Sequence, residues 1–252
     1  MQNASLMGNP VFFLSPDRVR KKGDQGTRDM DHLDEMDRSG IAELPGTKLE
    51  VENIGSALIS GDWRVNSLTQ EAATESALKN LNASRLLHIA THGFFIDDKE
   101  GSGALRVLTQ GWASQEPMMK SGLLLSGSAN YLQNKIELFG ENGILTSYEA
   151  ANLSLEGTEL VVLSACETAR GEIQNGEGVY GLQRAFQTAG AQSIIMSLWK
   201  VDDEATQQLM TSFYQNWTKG VSKNEALKQA QLSLKAKYPH PYFWGAFVMM
   251  GE

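Results

Sequence analysis

Leu86-Leu87-His88-Ile89-Ala90, running into Thr91-His92-Gly93, is the stretch on which the fold turns. The run is too apolar for a sheet with one wet face, and its length is that of a strand. Residues 159–165 repeat the pattern and stop at Cys166, and residues 193–198 are a third such run. Helical patterns separate or follow these runs at residues 179–189, 203–217 and 224–237. Strands that are continuously apolar and alternate with helices predict an α/β fold with a mainly parallel central sheet, flanked by helices on both faces.

Working outward, Val11-Phe12-Phe13-Leu14 reads as a buried strand and residues 63–68 as another. Leu44-Pro45-Gly46-Thr47 reads as a turn and cap, opening a helix with Leu49, Ile54, Ala57 and Leu58 as its apolar stripe. Thr69 opens a second helix with Ala73, Ala77, Leu78 and Leu81 on one face. A Gly- and Ser-rich stretch after His92 contains a short strand at Leu123-Leu124-Leu125, and residues 243–250 close the chain as a strand. Residues 18–40 are charged with few apolar anchors, which predicts a mobile loop. No repeat is visible, and residues 1–252 read as one domain.

The formal net charge of −8 argues against a nucleic-acid binder, which would present a basic face. No apolar run approaches a membrane span, and the first ten residues lack a signal peptide's basic and apolar regions. One cysteine excludes an intrachain disulfide, so a reducing, cytoplasmic compartment is expected. No His/Cys/Asp cluster at metal-ligand spacing is present, so neither metal nor cofactor is expected.

Ligands of open α/β sheets bind outside the carboxyl ends of the strands. His92 lies just past one such end and Cys166 past another, 74 residues apart in sequence. A lone cysteine is commonly a small buried hydrophobe. A thiol becomes a strong nucleophile when a nearby imidazole takes its proton, and strand ends can bring the two together. Gly93 allows close backbone approach, so its N–H and that of Cys166 are candidate donors to an oxyanion. His88 reads as a core histidine, His32 as solvated and His240 as a turn residue. Gly176-Glu177-Gly178-Val179-Tyr180-Gly181 matches a dinucleotide loop, yet it sits about ten residues beyond its strand, where such a loop should follow at once.

Residues 86–95 (LLHIATHGFF), 161–171 (VVLSACETARG), 176–206 and 240–251 (HPYFWGAFVMMG) resemble the CHAT family of caspase-like cysteine peptidases. The resemblance runs from about Leu44 to the C-terminus. It implies a caspase-hemoglobinase fold and peptide-bond hydrolysis, with His92 and Cys166 as the dyad and Gly93 and Cys166 as oxyanion donors. It implies a protein substrate, no cofactor, and a regulatory partner or sensor such as a tetratricopeptide-repeat protein in a bacterial defence or cell-death system. A catalytically silent scaffold with the same fold is the competing expectation.

For specificity, Ser164 stands two residues before Cys166, where several Arg- or Lys-cleaving relatives carry Asp. Alternation puts Ser164 on the same side as Cys166, so it should line the pocket. Its neutral hydroxyl offers little charge discrimination. Asp17, Asp202 and Asp203 are the acids that a basic preference would require, with one of the latter two expected to cap a helix instead. Trp199 is a candidate apolar wall.

Overall fold

The computed structural model describes residues 2–14, 41–81, 84–96, 116–134, 137–138, 140–166, 177–199 and 202–251. Among them are strands β1 (Asn3–Pro10), β2 (Arg64–Gln70), β3 (Leu86–Phe95), β4 (Ser121–Leu124), β5 (Ile144–Thr146), β6 (Leu160–Cys166), β7 (Ser193–Ser197) and β8 (Phe247–Gly251). The helices are α1 (Pro45–Ser60), α2 (Glu75–Lys79), α3 (Ser128–Asn134), α4 (Ser147–Ala150), α5 (Glu177–Thr188), α6 (Asp203–Trp217), α7 (Lys223–Lys237) and α8 (Pro241–Trp244).

One sheet joins all eight strands, with the main path β2-β1-β3-β6-β7-β8. The path is parallel up to β7, and β8 closes it antiparallel. Side-chain alternation sorts the strand residues into two cores. On one face Leu6, Leu86, Ala90, Val162 and Ile195 pack against Ile54 and Leu58 of α1, Leu209 and Phe213 of α6, and Leu234 of α7. On the other, Met7, Ile89, Val161, Leu163 and Ile194 pack against Leu78 of α2, Ala150 of α4, and Leu182 and Phe186 of α5. Helices therefore cover both faces, as the continuous apolar runs require.

Several boundaries differ from the sequence expectation. The first strand is residues 3–10 rather than 11–14: NASLMGNP is weakly apolar, but it is hydrogen-bonded to β2 on one side and β3 on the other. Its register with β2 shifts at Asn9, whose φ of 50° lies in the left-handed region that asparagine tolerates. Phe12 and Leu14, just beyond it, are buried without being in a strand. Thr69 does not open a helix. β2 runs on to Gln70, and the short helix α2 starts after Thr74, whose side chain accepts from the Ala77 N–H at 3.1 Å. Leu49 is exposed, so the buried face of α1 is Thr47, Glu50, Val51, Ile54 and Leu58. Segment 18–40, Asp17 and the first glycine of the G-x-G-x-x-G match lie outside the described residues. Among the described residues no helix is long and apolar enough to cross a membrane.

Candidate active site

β3 is long because it serves two kinds of partner. It pairs in parallel with β1 as far as Ala90 and with β6 as far as His92. From His92 to Phe95 it pairs antiparallel with β4, which carries β5 on its far side. His92 is thus inside its strand, not past it, yet it marks the end of the parallel ladder. The last pair of that ladder is His92 with Cys166. Neighbouring strands lie about 4.8 Å apart, so two backbone positions 74 residues apart in sequence are side by side at the carboxyl edge.

The half-buried His92 ring is held from two sides. Its Nε2 is 2.7 Å from the Ala42 carbonyl oxygen. A carbonyl only accepts, so Nε2 carries the proton and, in the neutral ring, Nδ1 is the basic nitrogen. Phe12 packs against the imidazole with ring centroids 5.3 Å apart. Phe12, Phe94, Leu124 and Ile144 are buried together, with Ile41 and Leu44 against them. The chain after β1 and the approach to α1 therefore meet at this side chain, and Phe12 links it to the cluster of the β4–β5 extension.

Gly93 is oriented by the same extension. The Ile96 N–H donates to the Lys120 carbonyl at 2.7 Å. With the β3–β4 pairing, this makes Phe94–Gly122 and His92–Leu124 the hydrogen-bonded pairs. The intervening Gly93 amide faces away from β4, toward the β6 edge. Thr91 Oγ1 donates to the Leu124 carbonyl and fastens β4 here.

The remaining predicted residues divide. Ser164 is buried on β6 opposite Ala90. Trp199 is 36% exposed just past β7, its indole N–H donating to the Tyr242 carbonyl at 3.1 Å. Asp202 is spent as a cap, its carboxylate accepting from the Ala205 N–H at 3.0 Å. Asp203 is exposed in the first turn of α6, close to Gly46 of α1. The sequence reading missed the Ala42 carbonyl and Phe12. A main-chain oxygen leaves no signature in residue identity, and Phe12 was legible only as a core residue.

Two further polar clusters each contain buried members. His88 is fully buried, four residues before His92 on β3, with Nδ1 3.0 Å from the hydroxyl of the equally buried Tyr214. Its Nε2 is 3.2 Å from Glu50 Oε1, a close electrostatic contact whose angles fall short of a hydrogen bond. On the opposite face, Lys79 Nζ lies 2.7 Å from Glu75, 3.2 Å from Glu141 and 3.1 Å from Glu149. Those three carboxylates are close enough to chelate an ion, but the ammonium already sits among them. Burial, reinforced by the neighbouring Glu149 and Glu141, pushes the Glu75 carboxyl up to about 7 against the opposing pull of Lys79.

A model of the CHAT domain matches residues 6–252. Tetratricopeptide repeat protein 28 of Mus musculus and that of Homo sapiens are each 31% identical to this chain over 111 residues. That is 43% of this chain and 4% of theirs, so the chain spans a small part of those relatives. Among solved structures, the Arg specific cysteine proteinase gingipain R superposes on the whole chain and 46% of its own, with a TM-score of 0.50 at 10% identity. The central sheet and its flanking helices thus have a caspase-like cysteine proteinase fold.

Proposed function

We propose that this chain, which belongs to the CHAT domain family, is a cysteine endopeptidase with Cys166 as nucleophile and His92 as its acid–base partner. The observation that carries this reading is the in-register pairing of His92 with Cys166 at the end of the parallel ladder, where α/β sheets place their ligands. The Cys166 thiolate attacks the scissile carbonyl carbon. The Gly93 and Cys166 amides stabilise the resulting oxyanion. His92 gives a proton to the leaving amine as the C–N bond breaks, leaving a thioester on Cys166. Water, deprotonated by His92, then releases the carboxylic acid and restores the thiol.

We read the pocket before the scissile bond as one not dominated by charge, lined by Ser164 with Trp199 as an apolar wall. The capping duty of Asp202 supports this, because it removes one acid that a cationic substrate would need. The Arg specificity named for gingipain R is that protein's own. The substrate is read as a partner protein cut in the cytoplasm. A tetratricopeptide-repeat sensor is the regulator in keeping with the named relatives, and the setting is a bacterial defence or cell-death system.

The test is a thiol-reactive peptide probe. Labelling should fall on Cys166 and be lost in a folded His92→Ala variant. A folded wild-type chain that takes up no probe across an amino-acid-scanned peptide library, with or without an effector, would leave only the silent scaffold.

A further inference from the structure

Glu50, His88 and Tyr214 come from α1, β3 and α6 and meet inside the core, each 3% exposed or less. Burying an ionisable pair in place of two apolar side chains rarely adds stability, because desolvation offsets the attraction. The fold therefore needs another reason to keep it. His88 Nδ1 is hydrogen-bonded to the Tyr214 hydroxyl, and its Nε2 faces the Glu50 carboxyl group.

The contact joins two elements that meet again at His92. Glu50 lies in the second turn of α1, and Ala42 is three residues before that helix begins. His88 and His92 are four residues apart on β3, on the same side of the strand. The near end of α1 is also tied to β1, where the Asn9 N–H donates to Thr47 Oγ1 at 2.9 Å. That tie fixes where the helix sits, whereas a contact on its inward face fixes how it is rotated. We infer that Glu50 and His88 are positioning residues, a buried pair that sets the rotation of α1 and so holds the Ala42 carbonyl on Nε2 of His92.

The inference rests on the peptidase reading for its importance, but its test does not need a substrate. Nitrogen-15 spectra of the imidazoles, with His92 assigned by comparison with His92→Asn, report its tautomer. Alkylation by iodoacetamide reports Cys166, the one cysteine of the chain. In the double variant Glu50→Leu/His88→Leu the buried Tyr214 hydroxyl loses its partner, so a modest fall in melting temperature is expected. The pure Nε2–H signature of His92 should give way to a mixture, and Cys166 alkylation should slow about tenfold or more, the scale on which small misplacements act. Glu50→Gln, which keeps an acceptor oxygen facing His88, should restore most of both signals. If the double variant does not fold, Glu50→Met makes the same test. A folded variant that keeps the wild-type His92 signature and alkylation rate overturns the inference. Wild-type alkylation indifferent to His92→Ala would instead count against the dyad and leave the tautomer result standing.

Discussion

His92 takes its orientation from a main-chain oxygen, and this changes what substitution can do to it. No side-chain change at Ala42 removes the acceptor, whereas loss of the imidazole removes the proposed acid and base together. His92→Ala and Cys166→Ala are each expected to lower kcat/KM by about a thousandfold or more. Melting temperatures should stay within a few degrees of wild type, because both substitutions leave the main-chain pairing of β3 with β6 in place. Residual turnover near the wild-type rate in either variant would exclude the dyad. At Asp202 the outcome should be the reverse. Asp202→Ala should cost about 1 kcal/mol of stability through the lost cap and leave the peptide-library preference unchanged. A preference for Arg or Lys that disappears with Asp202 would give the pocket to that carboxylate. At this scale the sequence announced the imidazole and the thiol, because polar residues that close continuously apolar runs are legible. It could not announce the carbonyl that aims one of them.

Among the elements, β3, β6, β7, α6 and α7 were readable because burial on two faces, or on one helical stripe, leaves a strong period in the residues. β1 was not. Its Asn, Ser, Gly and Pro lower its strand propensity, and its place is secured by partners on both sides that no local pattern reveals. α3, α4 and β5 are 7, 4 and 3 residues long, too short to show a period. These inconspicuous pieces nevertheless hold the β3 extension. Gly122 of β4 shows how tightly. A Cβ there would lie 2.7 Å from the Phe94 ring and closer still to the Leu145 carbonyl. Gly122→Ala should therefore force β4 away from β5 and from the strand that carries His92. The expected cost is roughly 1–3 kcal/mol, with a larger relative loss of activity than of melting temperature. A variant with unchanged activity would show that the extension does not set the site.

For the molecule as a whole, the two helical layers differ in their electrostatics. The face bearing α2 and α4 encloses Glu75, whose Oε2 accepts from the Gly143 N–H at 3.0 Å ahead of β5. With its carboxyl raised from the ordinary 4.5 to about 7, the folded chain binds this proton more tightly than the unfolded chain does. Its contribution to stability is complete below about pH 4.5 and is lost as pH rises through about 7. Glu75→Gln keeps an acceptor for Gly143 and removes the titration. The melting temperature of the variant should change less between those two pH values, and should exceed wild type by a few degrees at pH 8. Parallel melting curves for the two proteins would show that Lys79 holds Glu75 ionised throughout. Chelators should shift neither curve, since the lysine supplies the positive charge among the three carboxylates.

The ladder that ends at His92 and Cys166 also leaves room for growth in the exposed turns between them. Each residue is anchored by its own strand, so chain added at an exposed turn away from the β4–β5 extension does not enter the geometry of the pair. The exposed turn at Gly157 has open space around it and leads directly into β6. A flexible domain grafted there would pay only loop-closure entropy, about 0.6 kcal/mol for each doubling of length. Growth by insertion at this turn is therefore open to the scaffold without relocating His92 or Cys166.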